Sequence, residues 1–201
     1  MILIPAAGDS RRMRGTDKLT QDVGGEALLR HIASAALATG QQVVVTLPPL
    51  RHPFHEGRLA ALAGLPVVVE QVDDAAEGLS ASLRKGMLPI GTTETQGVMV
   101  LLADLPEITA ADLGTLIADF LTTPDRVLRA TSTDGTPGHP VILPRRVFPQ
   151  LAQLSGDAGA RDILREEAKA RRMRFRALPG QRATTDLDTP EAWEAWRAAQ
   201  N

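Results

Sequence analysis

Apolar positions along this chain follow two habits, short unbroken runs and stretches in which they return at helical spacing. Met1 to Ile4, Gln42 to Thr46, Pro66 to Glu70, Gly97 to Ala103 and Arg126 to Thr131 are runs rich in β-branched residues. They predict buried strands. Between them, Glu26 to Thr39 sets Leu28, Leu29, Ile32, Ala36 and Leu37 on one helical face, with Gly40 as the terminator. Gly78 to Met87, Ala110 to Leu121 and residues 145–154 predict further helices, and residues 131–144 are turn-rich and then extended. Residues 48–57 predict a surface turn; His52 and His55 in it have no third ligand nearby and are read as surface, not as a metal pair. Residues 161–176, RDILREEAKARRMRFR, read as a solvated amphipathic helix running into a strand. At the end, Thr189 as N-cap, Pro190 in the first turn and Glu191 beside it begin a helix that carries Trp193 and Trp196 as core anchors. Strands that alternate with helices predict an α/β fold, a mainly parallel central sheet with helices on both faces.

Composition narrows the partners. With 201 residues, 43% of them hydrophobic, and no repeat or linker, the chain is expected to form one domain over residues 1–201. A net charge of −2 argues against nucleic acid as the main partner, because the positive charge is local. The absence of cysteine excludes disulfides, thiolate metal sites and a cysteine nucleophile. No run reaches membrane-spanning length, so no membrane partner is expected and the protein is read as cytoplasmic.

The chemistry concentrates in MILIPAAGDSRRMRGTDKL. A strand enters a turn of small residues, followed by Arg11, Arg12, Arg14 and Lys18 with no carboxylate between Asp9 and Asp17. Backbone N–H groups in such a turn can approach a polyphosphate, and the cations offset its charge. Charge alone does not separate this from a solvated basic loop. Asp104 follows the strongest strand, where open α/β sheets place their ligands, and Thr109 is a better cap than Asp104 for the next helix. Asp186 and Asp188 add acids near the C-terminus. Cations early, one acid after the central strand and two acids late suggest a Mg²⁺–triphosphate site, since Mg²⁺ takes one or two carboxylates together with phosphate oxygens. Neither a G-x-x-x-x-G-K-[ST] loop nor a G-x-G-x-x-G turn is present.

AAGDSRRMRGTDKL resembles the opening signature of sugar- and cofactor-nucleotidyltransferases. EGLSASLRKG (77–86), LLADLP (101–106), GHPVILPRRVFPQLAQLSGDAGARDIL (138–164) and DLDTPEAW (186–193) are similar to the molybdopterin nucleotidyltransferases, and within them to the molybdenum cofactor cytidylyltransferases. The resemblance implies a Rossmann-like nucleotidyltransferase fold. It also implies transfer of CMP from CTP to the terminal phosphate of a molybdopterin-type cofactor, with pyrophosphate released. Under it, Ala6, Ala7 and Gly8 hold base and ribose, Arg12 and Lys18 grip the phosphates, and Ser80 and Ser82 lie near the nucleotide or pterin. Asp104 binds Mg²⁺ with Asp188, Asp186 in reserve, while Gly138, His139, Asp157 and Arg161 fall on the acceptor side. A recipient molybdoenzyme is the implied protein partner. The A-A-G at residues 6–8, where the guanylyl branch usually has A-G-G, favours CTP, because a side chain at Ala7 narrows the room over the base. GTP with the same or another phosphorylated acceptor is the first alternative, and a cofactor-binding chaperone without chemistry is the second. Pro5, Arg14 and Ala103 depart from the pattern, which usually has leucine, glycine and glycine there.

Overall fold

The computed structural model describes residues 1–90, 94–156 and 159–200. Asp157 lies outside the described residues. Strands β1 (Ile2–Pro5), β4 (Val43–Leu47), β5 (Val68–Gln71), β6 (Gly97–Val100), β7 (Val127–Thr131), β8 (Pro137–Pro144) and β9 (Met173–Ala177) form one sheet in the order β5, β4, β1, β6, β8, β7, β9. β1 pairs in parallel with β4 on one side and β6 on the other, Ile2 opposite both Val43 and Met99. The sheet is mainly parallel, as the run lengths predict. β8 is the exception and runs against both neighbours. It returns from β7 through a short turn at Asp134 and Gly135, with Gly135 at φ 86°, and so short a connection can only reverse the chain.

Alternation along β1 feeds two cores. Ile2 and Ile4 pack on one face with Leu28, Leu29 and Ile32 of α1 (Leu28–Leu37) and with Leu113 and Leu116 of α4 (Ala110–Thr122). Leu3 faces the other way, toward Leu83 of α3 (Leu79–Gly86) and Ile163 of α6 (Arg161–Lys169). A strand covered on both faces needs continuous apolar residues, which is why β1 and β4 carry them.

Three elements differ from their sequence-based expectation. The first helix begins at Leu28 and not at residue 26, because Glu26 and Ala27 (β3, Glu26–Ala27) pair with β2 (Asp22–Val23) across Gly24 and Gly25. Those glycines sit at φ 63° and 92°, the conformation that a two-residue hairpin turn requires. The central strand ends at Val100 rather than at Ala103; the Leu101 N–H still bonds Leu3 of β1 at 2.9 Å, and the chain then leads to Asp104. The surface turn expected over 48–57 gives way at His55 to a helix, α2 (His55–Ala61), on which Arg58 is fully buried. His52 and His55 bond Asp9 and the Pro48 carbonyl, at 3.2 and 2.7 Å.

Thr109 caps α4 in a reciprocal pair with Asp112, which leaves Asp104 free of that task. Thr189 Oγ1 accepts from the Ala192 N–H at 3.2 Å and starts the closing helix, α7 (Pro190–Gln200). Trp193 is buried to 1% exposure, while the half-buried Trp196 donates to Glu107 at 3.1 Å. Between α4 and α6 lies the short α5 (Phe148–Leu151). No helix among the described residues is long and apolar enough to cross a membrane.

Candidate active site

The site forms where β1 and β6, neighbours in the sheet, release the chain at their C-terminal ends. The Ala6 N–H still bonds Thr46 of β4 at 2.9 Å. After that residue the backbone leaves the sheet. Among the described residues, neither the Ala7 nor the Gly8 N–H donates to another protein group. Two such donors at the lip of a cleft suit an anion. Met13, at 3% exposure, anchors the loop in the core, and Ser10 and Arg14 take left-handed conformations at φ 50° and 52°. Arg14 therefore carries the positive φ for which the family pattern uses glycine, and its guanidinium pairs with Glu191 at the surface.

Lys18 is where the expected residues converge. Its Nζ donates to Asp104 Oδ2 and to Asp188 Oδ1, at 2.6 Å each. The three side chains are only 14–18% exposed. Arg12, largely exposed, pairs with the other oxygen of Asp188. The Leu187 N–H bonds the Asp104 carbonyl at 3.1 Å, and this backbone contact brings the late acids to the central strand. Burial works against the Lys18 ammonium, but Asp104 and then Asp188 outweigh it and raise its pKa. Burial likewise resists charge on Asp188, yet Lys18 and Arg12 hold its carboxyl below the usual range. Asp186 is pushed the other way, by burial first and then by Asp188 and Asp104. Of the two late acids, Asp188 is the one that faces the cations.

Asp104 Oδ1 is buried without a hydrogen-bond partner, and Asp104 and Asp188 already share one cation. Hard carboxylate oxygens in this arrangement fit Mg²⁺ or Mn²⁺. No group of three or more His, Asp or Glu among the described residues could hold a metal alone. The remaining ligands would therefore be phosphate oxygens and water, the usual habit of Mg²⁺.

Two cavities share part of their lining beside this cluster. The first, about 170 Å³, is lined by Ala6, Ala7, Gly8, Lys18, Ser82 and Asp104 among others. The second, about 610 Å³, is lined by His139, Arg129, Arg161 and Phe175, and it shares Leu79 and Leu102 with the first. Burial presses the His139 imidazole down to about 4, so it is neutral at physiological pH, and its Nδ1 has no partner. Arg129 donates to the Gly138 carbonyl at 3.0 Å, a contact that points the guanidinium along the cavity wall.

Two expected residues serve the scaffold instead. Ser80 is fully buried; its Oγ accepts from the Gly159 N–H at 3.1 Å and donates to the Ser155 carbonyl at 3.4 Å, fastening α3 to the loop before α6. Gly138 packs on backbone: a Cβ there would lie 1.9 Å from the Ala183 carbonyl oxygen. Sequence reasoning also missed two groups. Arg58 and Asp17 form a buried pair beneath the loop, and Arg129 lies in the second cavity. An arginine at the inward position of a helix leaves no periodic signal. Nothing short of the fold joins Arg58 to Asp17.

A Rossmann-like sheet with free turn N–H groups, and a lysine held between a carboxylate that follows β6 and another just before α7, is the arrangement of a nucleotidyltransferase. The family model described as the MobA-like NTP transferase domain matches residues 2–172, and the chain belongs to that family. This agrees with the resemblance to molybdopterin nucleotidyltransferases. The chain is 27% identical to the purine catabolism protein PucB of Bacillus subtilis, over 98% of this chain and 95% of that one. It is 36% identical to a probable molybdenum cofactor guanylyltransferase of Natronomonas pharaonis, over 52% of this chain and 48% of the relative. Among solved structures it is similar to Rv0371c of Mycobacterium tuberculosis, with a TM-score of 0.80 and 28% identity, covering 96% of this chain and 94% of the other. A second structure of Rv0371c is a complex with manganese, similar at a TM-score of 0.76 and 25% identity, over 96% of this chain and 95% of that one.

Proposed function

We propose that this nucleotidyltransferase moves CMP from CTP to the terminal phosphate of a molybdenum-cofactor-type pterin. A phosphate oxygen of the acceptor attacks the α-phosphorus. The new P–O bond forms as the bond to the β-phosphate breaks, and pyrophosphate leaves with the electron pair. The observation that carries the reading is Lys18 held at 2.6 Å from both Asp104 and Asp188 beside the Ala6–Gly8 turn. Ala7 and Gly8 offer free N–H donors to the phosphates, and Lys18 and Arg12 offset the charge that develops on them. Asp104 and Asp188 are the residues that would hold Mg²⁺, with Asp186 next to them. An ion held there would draw charge off the phosphate oxygens.

The acceptor belongs in the second cavity. Its lining combines apolar surface at Phe175, Met173 and Val141 with the cations Arg129 and Arg161, which suits a flat heterocycle carrying a phosphate. The shared Leu79 and Leu102 support this reading, since a phosphate near them would lie beside the nucleotide. Such an enzyme would work in the cytoplasm, where nucleoside triphosphates are, and pass its product to a recipient molybdoenzyme.

GTP is the second reading, favoured by the relative named as a guanylyltransferase. Pyrophosphate release from CTP and from GTP, with purified cofactor as acceptor, separates the two. CTP is expected to be the faster, and equal rates would defeat the argument from Ala7. Lys18→Ala and Asp104→Ala are each expected to lower turnover by roughly 10²–10³, the scale of losing one transition-state stabiliser. Full activity in Asp104→Ala would remove the metal site, and tight cofactor binding with no pyrophosphate at all would favour a carrier.

A further inference from the structure

Arg58 is the fully buried arginine of α2, outside both cavities. Its guanidinium makes a two-pronged pair with Asp17, Nε to Oδ2 and Nη2 to Oδ1 at 2.8 Å each. Nη1 donates to the Ala6 carbonyl at 2.7 Å, and Nη2 also reaches Ser10 Oγ at 3.2 Å. One planar cation thus grips the first residue of the loop, its middle and the residue before Lys18. The network closes on itself, since Ser10 Oγ donates to Asp17 Oδ1 at 3.2 Å and accepts from the Lys18 N–H at 3.4 Å. Asp17 Oδ1 also accepts from the Leu19 N–H at 3.1 Å. The Phe54 ring lies 5.3 Å from the guanidinium carbon and shields it.

A buried ion pair adds little stability over an apolar pair of the same size, so its presence here asks for another reason. That reason lies in what it holds. The Ala6 carbonyl belongs to the peptide whose N–H is that of Ala7, so its orientation sets where that donor points. Asp17 fixes the backbone from which Lys18 reaches Asp104 and Asp188. We infer that Arg58 is a positioning residue for triphosphate binding: from the protein interior it sets the span between the Ala7–Gly8 N–H donors and the Lys18 ammonium. The inference rests on the reading that residues 6–18 receive the triphosphate.

The test uses Mg²⁺·CTP and Mg²⁺·GTP binding by calorimetry, amide hydrogen exchange across residues 6–18, and thermal unfolding. The variants are Arg58→Lys and the double variant Arg58→Met with Asp17→Asn, which leaves no unpaired buried charge. The double variant is expected to fold, to weaken both triphosphates equally by about 10²-fold, and to speed exchange in residues 6–18 alone. Arg58→Lys, which keeps the charge but loses the fork, is expected to recover part of that affinity. A folded double variant with wild-type affinity for both triphosphates would overturn the inference. If the double variant does not fold, Arg58→Lys decides: unchanged affinity and unchanged exchange overturn it, and a selective loss of affinity supports it. Lys18→Ala is the control for the underlying reading. Wild-type triphosphate affinity in Lys18→Ala would mean that the loop is not the triphosphate site. Loss in Lys18→Ala with no effect in the Arg58 variants would sink the Arg58 inference alone.

Discussion

Ala7 turns the choice of nucleotide into a question about one methyl group. It is 2% exposed, packs with Val72 and Ala81 and lines the smaller cavity; under the proposed function its methyl would narrow the room for a larger base. Ala7→Gly is expected to shift the CTP-to-GTP preference in turnover toward GTP by about tenfold, the scale of one methyl in a snug pocket. An unchanged ratio in pyrophosphate release would assign selectivity elsewhere. Arg14 poses a different question. Its φ of 52° costs a side-chain-bearing residue about 1 kcal/mol, while its partner Glu191 is exposed and returns little. Arg14→Gly is therefore expected to raise the thermal midpoint by about 2–4 °C. A fall would show that the Glu191 contact matters more than the backbone. At this scale the order of cations early in the chain, an acid after a strong strand and two acids late drew notice to Arg12, Lys18, Asp104 and Asp188, and the fold brings these four side chains together. Arg58 drew none, since burial is what makes it unusual and burial is invisible in one dimension.

Elements were legible where one force dominated. The unbroken apolar runs of β1, β4 and β6 leave a two-sided buried strand as the sensible outcome. The Thr109 and Thr189 caps mark where α4 and α7 begin. Thr109→Ala is expected to cost about 1 kcal/mol by chemical denaturation and to leave turnover unchanged, because Asp104 takes no part in that cap. A matching loss of turnover would tie the start of α4 to the site. Elements decided by pairing were harder. Glu26 and Ala27 suit the first turn of a helix, and it is β2 across Gly24 and Gly25 that draws them into a hairpin. The reversed direction of β8 follows from the length of its turn and from the partners on either side of it.

For the molecule as a whole, acid sensitivity follows from His139. The ring lines the larger cavity near Arg129 and Asp104, and burial first of all lowers its pKa from 6.5 to about 4. A folded-state pKa below the unfolded value means that the unfolded chain takes up the proton first. The contribution is complete above pH 6.5 and is lost as pH falls toward 4, up to about 3 kcal/mol. Denaturation midpoints measured across that window should decline with acid, and His139→Gln should flatten the decline. An equally steep decline in His139→Gln would assign the acid sensitivity to other groups.

The chain by itself determined the periodicities, the caps and the order of cations and acids, since these depend on neighbours within a few residues. From them came an α/β sheet and a charged loop at its edge. Tertiary structure showed how Asp188, the acid preferred over Asp186, meets Lys18: the Leu187 N–H bonds the Asp104 carbonyl and brings that segment to the central strand. It also put Ser80 and Gly138 into the scaffold, where packing against Gly159 and Ala183 claims them. And it drew Arg58 beneath the loop, since only the fold places α2 against residues 6–17. Contacts across so many residues depend on the whole packing, which no local pattern records.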